Sequence, residues 1–341
     1  MKSIHFYRVA HLLPFLDVLE EIGAPVDSGL RQFNLPTQLH ERPNAVLPVS
    51  PTLDFLSTIA RKEGIGEMGL RAVQRVALAD FDARVANAVG DSPTLLVALQ
   101  NFCKLAPAIE DTSLEFRISV GEMACRISCI ELSQAHLPGL RHSEWGNVMA
   151  LVAVVRAFAG SSWNPPEIAF ASRAPLSRYA SQRFPNTRLL VGQAAASIRI
   201  SRGLLSLTAP SGRPRPAKVD PELGTELAAG APSALRRILE TYLSEGCPTI
   251  DFAAELTGVS VRTFQRKLGA RGQTYSDLIQ QARFDVAAKL LRTSDAKMLE
   301  IAYEAGYDDP SHFSRAFRRT AGCSPREYRR QQARNASQHP S

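Results

Sequence analysis

The chain has 341 residues, of which 45% are hydrophobic, 21% charged and 7% aromatic, with 40 basic and 33 acidic side chains and a formal charge of +7. It is too apolar for a disordered polyelectrolyte, too charged for a bundle of membrane spans, and its five cysteines are too few for a disulfide-built mini-domain. At roughly 100–200 residues per domain, this length predicts two domains.

The first eight residues hold no apolar stretch of the kind that opens a secretory signal. The longest run without a charged residue is the 12 from Ser92 to Cys103, whereas a spanning helix needs about 20. The expectation is a cytoplasmic protein with no membrane partner. Cys103, Cys125, Cys129, Cys247 and Cys323 are scattered and lack C-x-x-C spacing, so free thiols in a reducing compartment are expected, and no metal or other cofactor.

Residues 1–208 read as mixed α and β. Glu20-Glu21 and Glu110-Asp111 are adjacent carboxylates that point in different directions on a helix, and solvated surface is the expectation for both pairs. Ser92-Pro93 carries the signature of an N-cap followed by proline in the first turn, leading into T-L-L-V-A-L-Q-N-F. From Leu114 to Leu132, apolar and polar residues alternate on either side of Gly121-Glu122, which predicts a β-hairpin with Cys125 and Cys129 on one face. His136 and His142 flank Pro138-Gly139 with no third metal ligand nearby. Trp145, Val148, Met149, Val152 and Val155 recur at helical spacing and predict a buried stripe, either core or dimer seam. This part has no phosphate-cradling glycine loop, no G-x-S-x-G elbow and no H-E-x-x-H helix. Nothing in it predicts an enzyme.

Residues 209–232 hold five prolines and three glycines in 24 positions. This composition predicts an extended linker. It separates a nearly neutral segment, 1–208, with 20 basic and 18 acidic residues, from a basic one, 233–341, with 17 and 12. The excess positive charge of the smaller part suits a polyanion partner.

That basic part contains one design twice. I-D-F-A-A-E-L-T-G-V-S-V-R-T-F-Q-R-K-L-G at about 250–270 and M-L-E-I-A-Y-E-A-G-Y-D-D-P-S-H-F-S-R-A-F-R-R-T-A-G at about 298–321 each read as helix, glycine turn, helix. Ala254 and Ala302 lie 48 apart, as do Gly258 and Gly306; Phe264 and Phe313 lie 49 apart, as do Arg266 and Arg315. The alanines suit a close helix crossing and the glycines a positive φ. Ser260 and Asp309 are placed as N-caps, with Pro310 next. Phe264 with Leu268, and Phe313 with Phe317, supply the packing faces. The opposite faces present Arg262, Thr263, Gln265 and Arg266 in the first copy and Ser311, His312, Ser314, Arg315 and Arg318 in the second, donor-rich residues of the kinds that bond bases and phosphates. Arg318, Arg319, Arg326, Arg329 and Arg330 are also read as a solvated or phosphate-facing set. Between the copies, Ser276 to Arg292 predicts a helix capped by Ser276, with an apolar stripe of Leu278, Ile279, Ala282, Val286, Leu290 and Leu291. At about 1.5 Å per residue it spans about 25 Å, a strut able to carry two reading heads toward successive major grooves about 34–36 Å apart.

With these motifs and the closing G-C-S-P-R-E-Y-R-R of Gly322 to Arg330, residues from about 234 to 331 resemble the DNA-binding domain of the AraC/XylS family of bacterial transcription regulators. The resemblance implies base contacts from Arg262, Gln265 and Arg266, and from Ser311, His312 and Arg315. The stretches E-M-G-L-R, S-P-T-L-L-V-A-L and R-F-P-N-T-R-L-L-V-G-Q-A-A-A-S-I-R-I-S-R-G-L-L resemble the arabinose-binding-like sensor domain of OruR-like regulators, over most of residues 10–208. The implied architecture is an α+β sensor domain (1–208), the linker (209–232), an all-α DNA-binding domain (233–331) with two helix-turn-helix motifs joined by a long helix, and a polar tail (332–341). The implied function is an effector-responsive transcriptional activator that binds double-stranded promoter DNA and a small-molecule effector, forms a homodimer and contacts RNA polymerase. An effector-independent architectural DNA-binding protein, and an enzyme with an accessory DNA-binding domain, remain as alternatives at this point.

Overall fold

The computed structural model describes residues 4–132, 139–209 and 230–338, with no account of side chains at 230–232 and 335–338. The predicted linker falls almost wholly outside the described residues, as does His136. The chain divides into two compact units, one drawn from His5–Ala228 and the other from Ala229–Ser341.

The first unit is α+β. Its elements in chain order are β1 (Phe6–Arg8), α1 (Leu13–Glu21), α2 (Val26–Gln32), β2 (Val46–Pro48), α3 (Val49–Lys62), α4 (Met68–Val73), α5 (Ala83–Gly90), α6 (Leu95–Ile109), β3 (Leu114–Val120), β4 (Ala124–Glu131), α7 (Leu140–Ala159), β5 (Glu167–Ala169), α8 (Arg178–Arg183), β6 (Arg188–Leu190) and β7 (Ala196–Ser201). Strands β1 and β2 pair antiparallel, and the main sheet has the order β3-β4-β7-β5-β6, in which only β5 and β6 run parallel.

The predicted hairpin is present, with Leu114 opposite Glu131 and Val120 opposite Cys125. Its reversal takes in Met123 as well as Gly121-Glu122, and the alternation fails at this tip, where Val120 and Met123 are exposed. Cys125 and Cys129 are buried, and desolvation raises both thiols, so they stay protonated core filler. Cys103 is pushed up to about 12 by the same cause. Cys247, by contrast, is exposed.

Helix α7 lies at the centre of this unit. Trp145, Val148, Met149, Val152 and Val155 are all at most 1% exposed, as are Leu151 and Val154. A helix buried on several sides within one unit is core rather than dimer seam. Trp145 stacks on Phe184 at 5.9 Å, and α4 crosses close by: a Cβ on Gly69 would stand 2.7 Å from the His142 Cα.

Two cap assignments are corrected. Thr94, not Ser92, caps α6, its hydroxyl accepting from the Val97 N–H. Ser92 is buried and closes the preceding helix instead, donating to the Ala88 carbonyl at 2.6 Å and accepting from Asn101 Nδ2. Glu110 is a larger correction. It is 3% exposed, and its carboxylate holds Arg8 at 3.1 Å and His11 at 2.8 Å and accepts from the Asp82 N–H at 2.6 Å. A buried carboxylate is tolerable only with such partners; Glu20 and Glu21 are exposed, as expected.

The second unit is all α in its described residues: α9 (Gly230–Tyr242), α10 (Ile250–Leu256), α11 (Val261–Gly269), α12 (Tyr275–Thr293), α13 (Met298–Glu304), α14 (Pro310–Ala321) and α15 (Pro325–Gln338). Helix α15 runs on into the stretch that reads as a polar tail. The connecting helix α12 starts one residue earlier than expected because Thr274, not Ser276, is its cap. The Thr274 hydroxyl accepts from the Asp277 N–H at 3.1 Å and the Asp277 carboxylate accepts from the Thr274 N–H at 2.8 Å, a reciprocal capping box. Its 19 residues give about 28 Å at about 1.5 Å each. Ala287 and Ala288 join Leu278, Ile279, Ala282 and Leu291 as its buried residues, while Val286 and Leu290 are half-buried. The apolar band is thus wider than one stripe, since α9, α13 and α15 all pack on this helix.

Candidate nucleic-acid interface and ligand cavity

Both repeats fold as helix, turn and helix: α10 with α11, then α13 with α14. Ala254 and Ala302 are at most 2% exposed, and Gly258 and Gly306 have φ of 64° and 74°. These are the close crossing and left-handed turn that the sequence asks of them. Ser260 caps α11 through the Thr263 N–H, and Asp309 caps α14 through the Ser311 and His312 N–H groups. These backbone bonds hold the Asp309 carboxyl below its usual range. Phe264, Leu268, Phe313 and Phe317 are buried as anchors.

With one face of each second helix anchored, the other is left to solvent. Arg262, Gln265, Arg266, Ser311, His312, Ser314, Arg315 and Arg318 are all exposed. Thr263 is half-buried and its hydroxyl accepts from Ser260 Oγ at 3.1 Å, so it serves the cap as well as the face. Arg329 departs from the reading as a solvated cation. It is half-buried, and its guanidinium donates to the Ala296 carbonyl at 2.7 Å, tying α15 to the turn before α13. Arg318, Arg319, Arg326 and Arg330 are exposed.

The first unit contains a cavity of about 890 Å³, within the size range of small-molecule sites. One wall is an aromatic row: His11 to Phe81 at 5.7 Å, Phe81 to Phe102 at 5.5 Å, Phe102 to Phe116 at 5.5 Å. The Arg8–Glu110–His11 cluster, Asp111 and Glu131 also line it. Asp111 Oδ1 accepts from the backbone and hydroxyl of Ser113; burial and the neighbouring Glu131 carboxylate raise Asp111 to about 7. None of these was singled out as a site residue. Arg8 with His11, Phe81, Phe102 with Glu110, and Glu131 come from four separate segments, and the one local signal is an arginine inside an apolar strand.

His142, half of the sequence-noted histidine pair, accepts from the Gly69 N–H through Nδ1, and burial lowers its pKa, favouring the neutral ring. Among the described residues, Asp17, Glu20 and His40 are the group whose ligand atoms lie close enough for a metal, and all three are exposed. No described helix is long and apolar enough to cross a membrane.

Residues 23–209 match the family model described as the arabinose-binding domain of AraC transcription regulators, N-terminal, and residues 253–331 match a helix-turn-helix domain model. The first match takes in more than half of the chain, and the chain belongs to that family of transcription regulators. Among curated proteins it is similar to the transcriptional activator NphR of Rhodococcus sp, 37% identical over 103 residues, covering 30% of this chain and 31% of that protein. It is similar also to the ornithine utilization regulator of Pseudomonas aeruginosa, 35% identical over 82 residues and covering 24% of each. These matches span about a third or less of the relatives' length. A solved structure, the transcriptional regulator CdpR from Pseudomonas aeruginosa, aligns over 90% of this chain and 96% of that one at 18% identity with a TM-score of 0.38.

Proposed function

We propose that this chain is a sequence-specific, effector-responsive transcriptional activator that binds double-stranded promoter DNA in the cytoplasm and carries out no catalysis itself. The observation that carries the reading is the duplicated helix-turn-helix, in which two anchored helices each turn a donor-rich face to solvent. Arg262, Gln265 and Arg266 on α11, and Ser311, His312 and Arg315 on α14, read base edges; Thr263, Ser314 and Arg318 contact the backbone or adjacent bases. Their side chains match the donor and acceptor patterns of the major groove. Phosphate contacts from Arg318, Arg319, Arg326 and Arg330 add affinity without sequence information.

The cavity favours a sensor over an architectural protein, because a molecule that only bends DNA has no use for an internal site of this size. A ligand that binds one conformational state better than another shifts the population toward it by its difference in affinity. Homodimerisation through the first unit and contact with RNA polymerase complete the reading. The test is enrichment of bound duplexes from a random library, followed by fluorescence anisotropy across a range of salt. Enriched duplexes should bind at least about 1000-fold more tightly than scrambled ones; equal affinity at every salt concentration overturns the proposal.

A further inference from the structure

Arg8 brings an unsatisfied donor to the cavity of the first unit. Its residue is 5% exposed and lines the cavity. Nη1 donates to the Glu110 carboxylate at 3.2 Å and Nη2 to the Asp80 carbonyl at 3.3 Å, but Nε has no acceptor among the described residues. A guanidinium N–H held away from water is costly unless something accepts from it. Its neighbours fix where it stands. Asp80 directly precedes Phe81, and the Asp82 N–H donates to the same Glu110 carboxylate at 2.6 Å. The Arg8 head is therefore at the start of the ring row Phe81–Phe102–Phe116, whose three rings all line the cavity, as do the buried Val49 and Leu53 of α3.

The chemistry of that end selects among ligands. Arg8 and Glu110 form a buried ion pair at 3.1 Å, and His11 shares the same carboxylate at 2.8 Å. The guanidinium charge is thus already compensated, and what is left over is a single N–H. An ammonium group has three donors and no lone pair, so it cannot accept from Nε. A carboxylate can accept, but here it would stand beside Glu110 and the neighbouring Asp111, both of which line the cavity, with the charge of Arg8 already taken. A carbonyl oxygen accepts without adding charge.

We infer that the cavity binds an uncharged, mainly apolar molecule whose carbonyl oxygen accepts from Arg8 Nε while its body lies along Phe81, Phe102 and Phe116. The inference rests on the sensor reading above and specifies its effector class. The same geometry supplies a selective variant. In Arg8→Lys a methylene takes the place of Nε while the new ammonium can still face Glu110, so the donor is lost and the charge pair is kept.

The experiment is isothermal titration and thermal shift on the full chain with two matched series: 4-phenyl-2-butanone, 4-phenyl-2-butylamine and 3-phenylpropanoate; and 2-heptanone, 2-heptylamine and hexanoate. A ketone of at least one series should bind at millimolar concentration or below, at least about tenfold more tightly than its amine and its acid. Arg8→Lys should lose at least about tenfold of the ketone affinity, whereas Arg117→Gln, exposed on β3 and outside the cavity lining, should keep it. Circular dichroism confirms that each variant is folded, and the ranking of the three compounds on the unaltered chain is a test by itself. Tighter binding of the amine or the acid, no ketone binding in either series, or full ketone binding by folded Arg8→Lys would overturn the assignment. Duplex binding is measured on the same samples. Ketone binding without sequence-specific DNA binding would sink the regulator reading and leave the site; specific DNA binding without ketone binding would do the reverse.

Discussion

The two helix-turn-helix units share a design but not a degree of bracing. In the first, Ser260 offers the Thr263 N–H one bond at 3.4 Å, and among the described residues Phe264 has one aromatic neighbour, Tyr275, at 6.2 Å. In the second, Asp309 takes two N–H groups at 2.9 and 3.2 Å. Phe313 touches Tyr307 and Phe317, and Phe317 in turn packs on Phe284 and Tyr328. Gly306 sits so close to the body that a Cβ there would stand 2.8 Å from the Leu243 carbonyl. The difference teaches that equal sequence spacing does not mean equal rigidity. The second recognition helix is anchored through a connected set of aromatic rings, and the first through its Ser260 cap and the buried Phe264 and Leu268.

The largest break in that comparison comes from the aromatic cluster. Phe313→Ala should cost about 3–5 kcal/mol of stability, because the space cannot collapse between so many rings. Phe264→Ala should cost less, and thermal or denaturant unfolding of the full chain compares the two. Next are the turn glycines. Gly306→Ala should cost about 2–4 kcal/mol, combining the left-handed φ with the contact on Leu243. Gly258→Ala should cost about 1 kcal/mol from its left-handed φ. Equal losses at the two glycines would show that the second unit is no tighter than the first.

Arg266→Ala should cost about 1–3 kcal/mol at one base position and relax preference there, whereas Arg318→Ala should weaken all duplexes alike and lower the salt slope by about one unit. Binding to a set of single-base variants at several salt concentrations separates the two. The smallest effect concerns the caps. The Asp309 carboxyl titrates below its unfolded value, so its stabilisation is present above the usual Asp range, about 3.9, and is lost as pH falls through the lower folded value. Melting temperature followed from pH 5 to pH 3 should therefore fall more steeply for the wild type than for Asp309→Asn. Ser260→Ala should leave that slope unchanged.

Local signals in the sequence proved accurate for the second unit. Glycine turns, Ser and Asp caps and Phe anchors all act within one or two turns of helix, so spacing alone placed them. The capping box at Thr274 was equally legible as T-x-x-D, but Ser276 is also a good cap residue and lies nearer the apolar stripe. Ser92 misled for a related reason: a buried serine can close the helix behind it as well as open the one ahead. The cavity was not legible. Glu110 looks like a solvated carboxylate until β1 brings Arg8 and His11 to it from about 100 residues away, and no periodicity encodes such a meeting. Arg329 was misread likewise, because only the fold shows the Ala296 carbonyl waiting for it.

Two recognition helices on one strut, as proposed, engage a single duplex together. The direct measurement is anisotropy on an enriched duplex and on the same duplex with about 5 bp, half a turn, inserted between the two contacted segments. The insertion should lower affinity to that of a duplex retaining one segment, and a full-turn insertion of about 10 bp should restore a large part of it. Affinity indifferent to the half-turn insertion would contradict joint engagement, leaving one reading head where two are proposed.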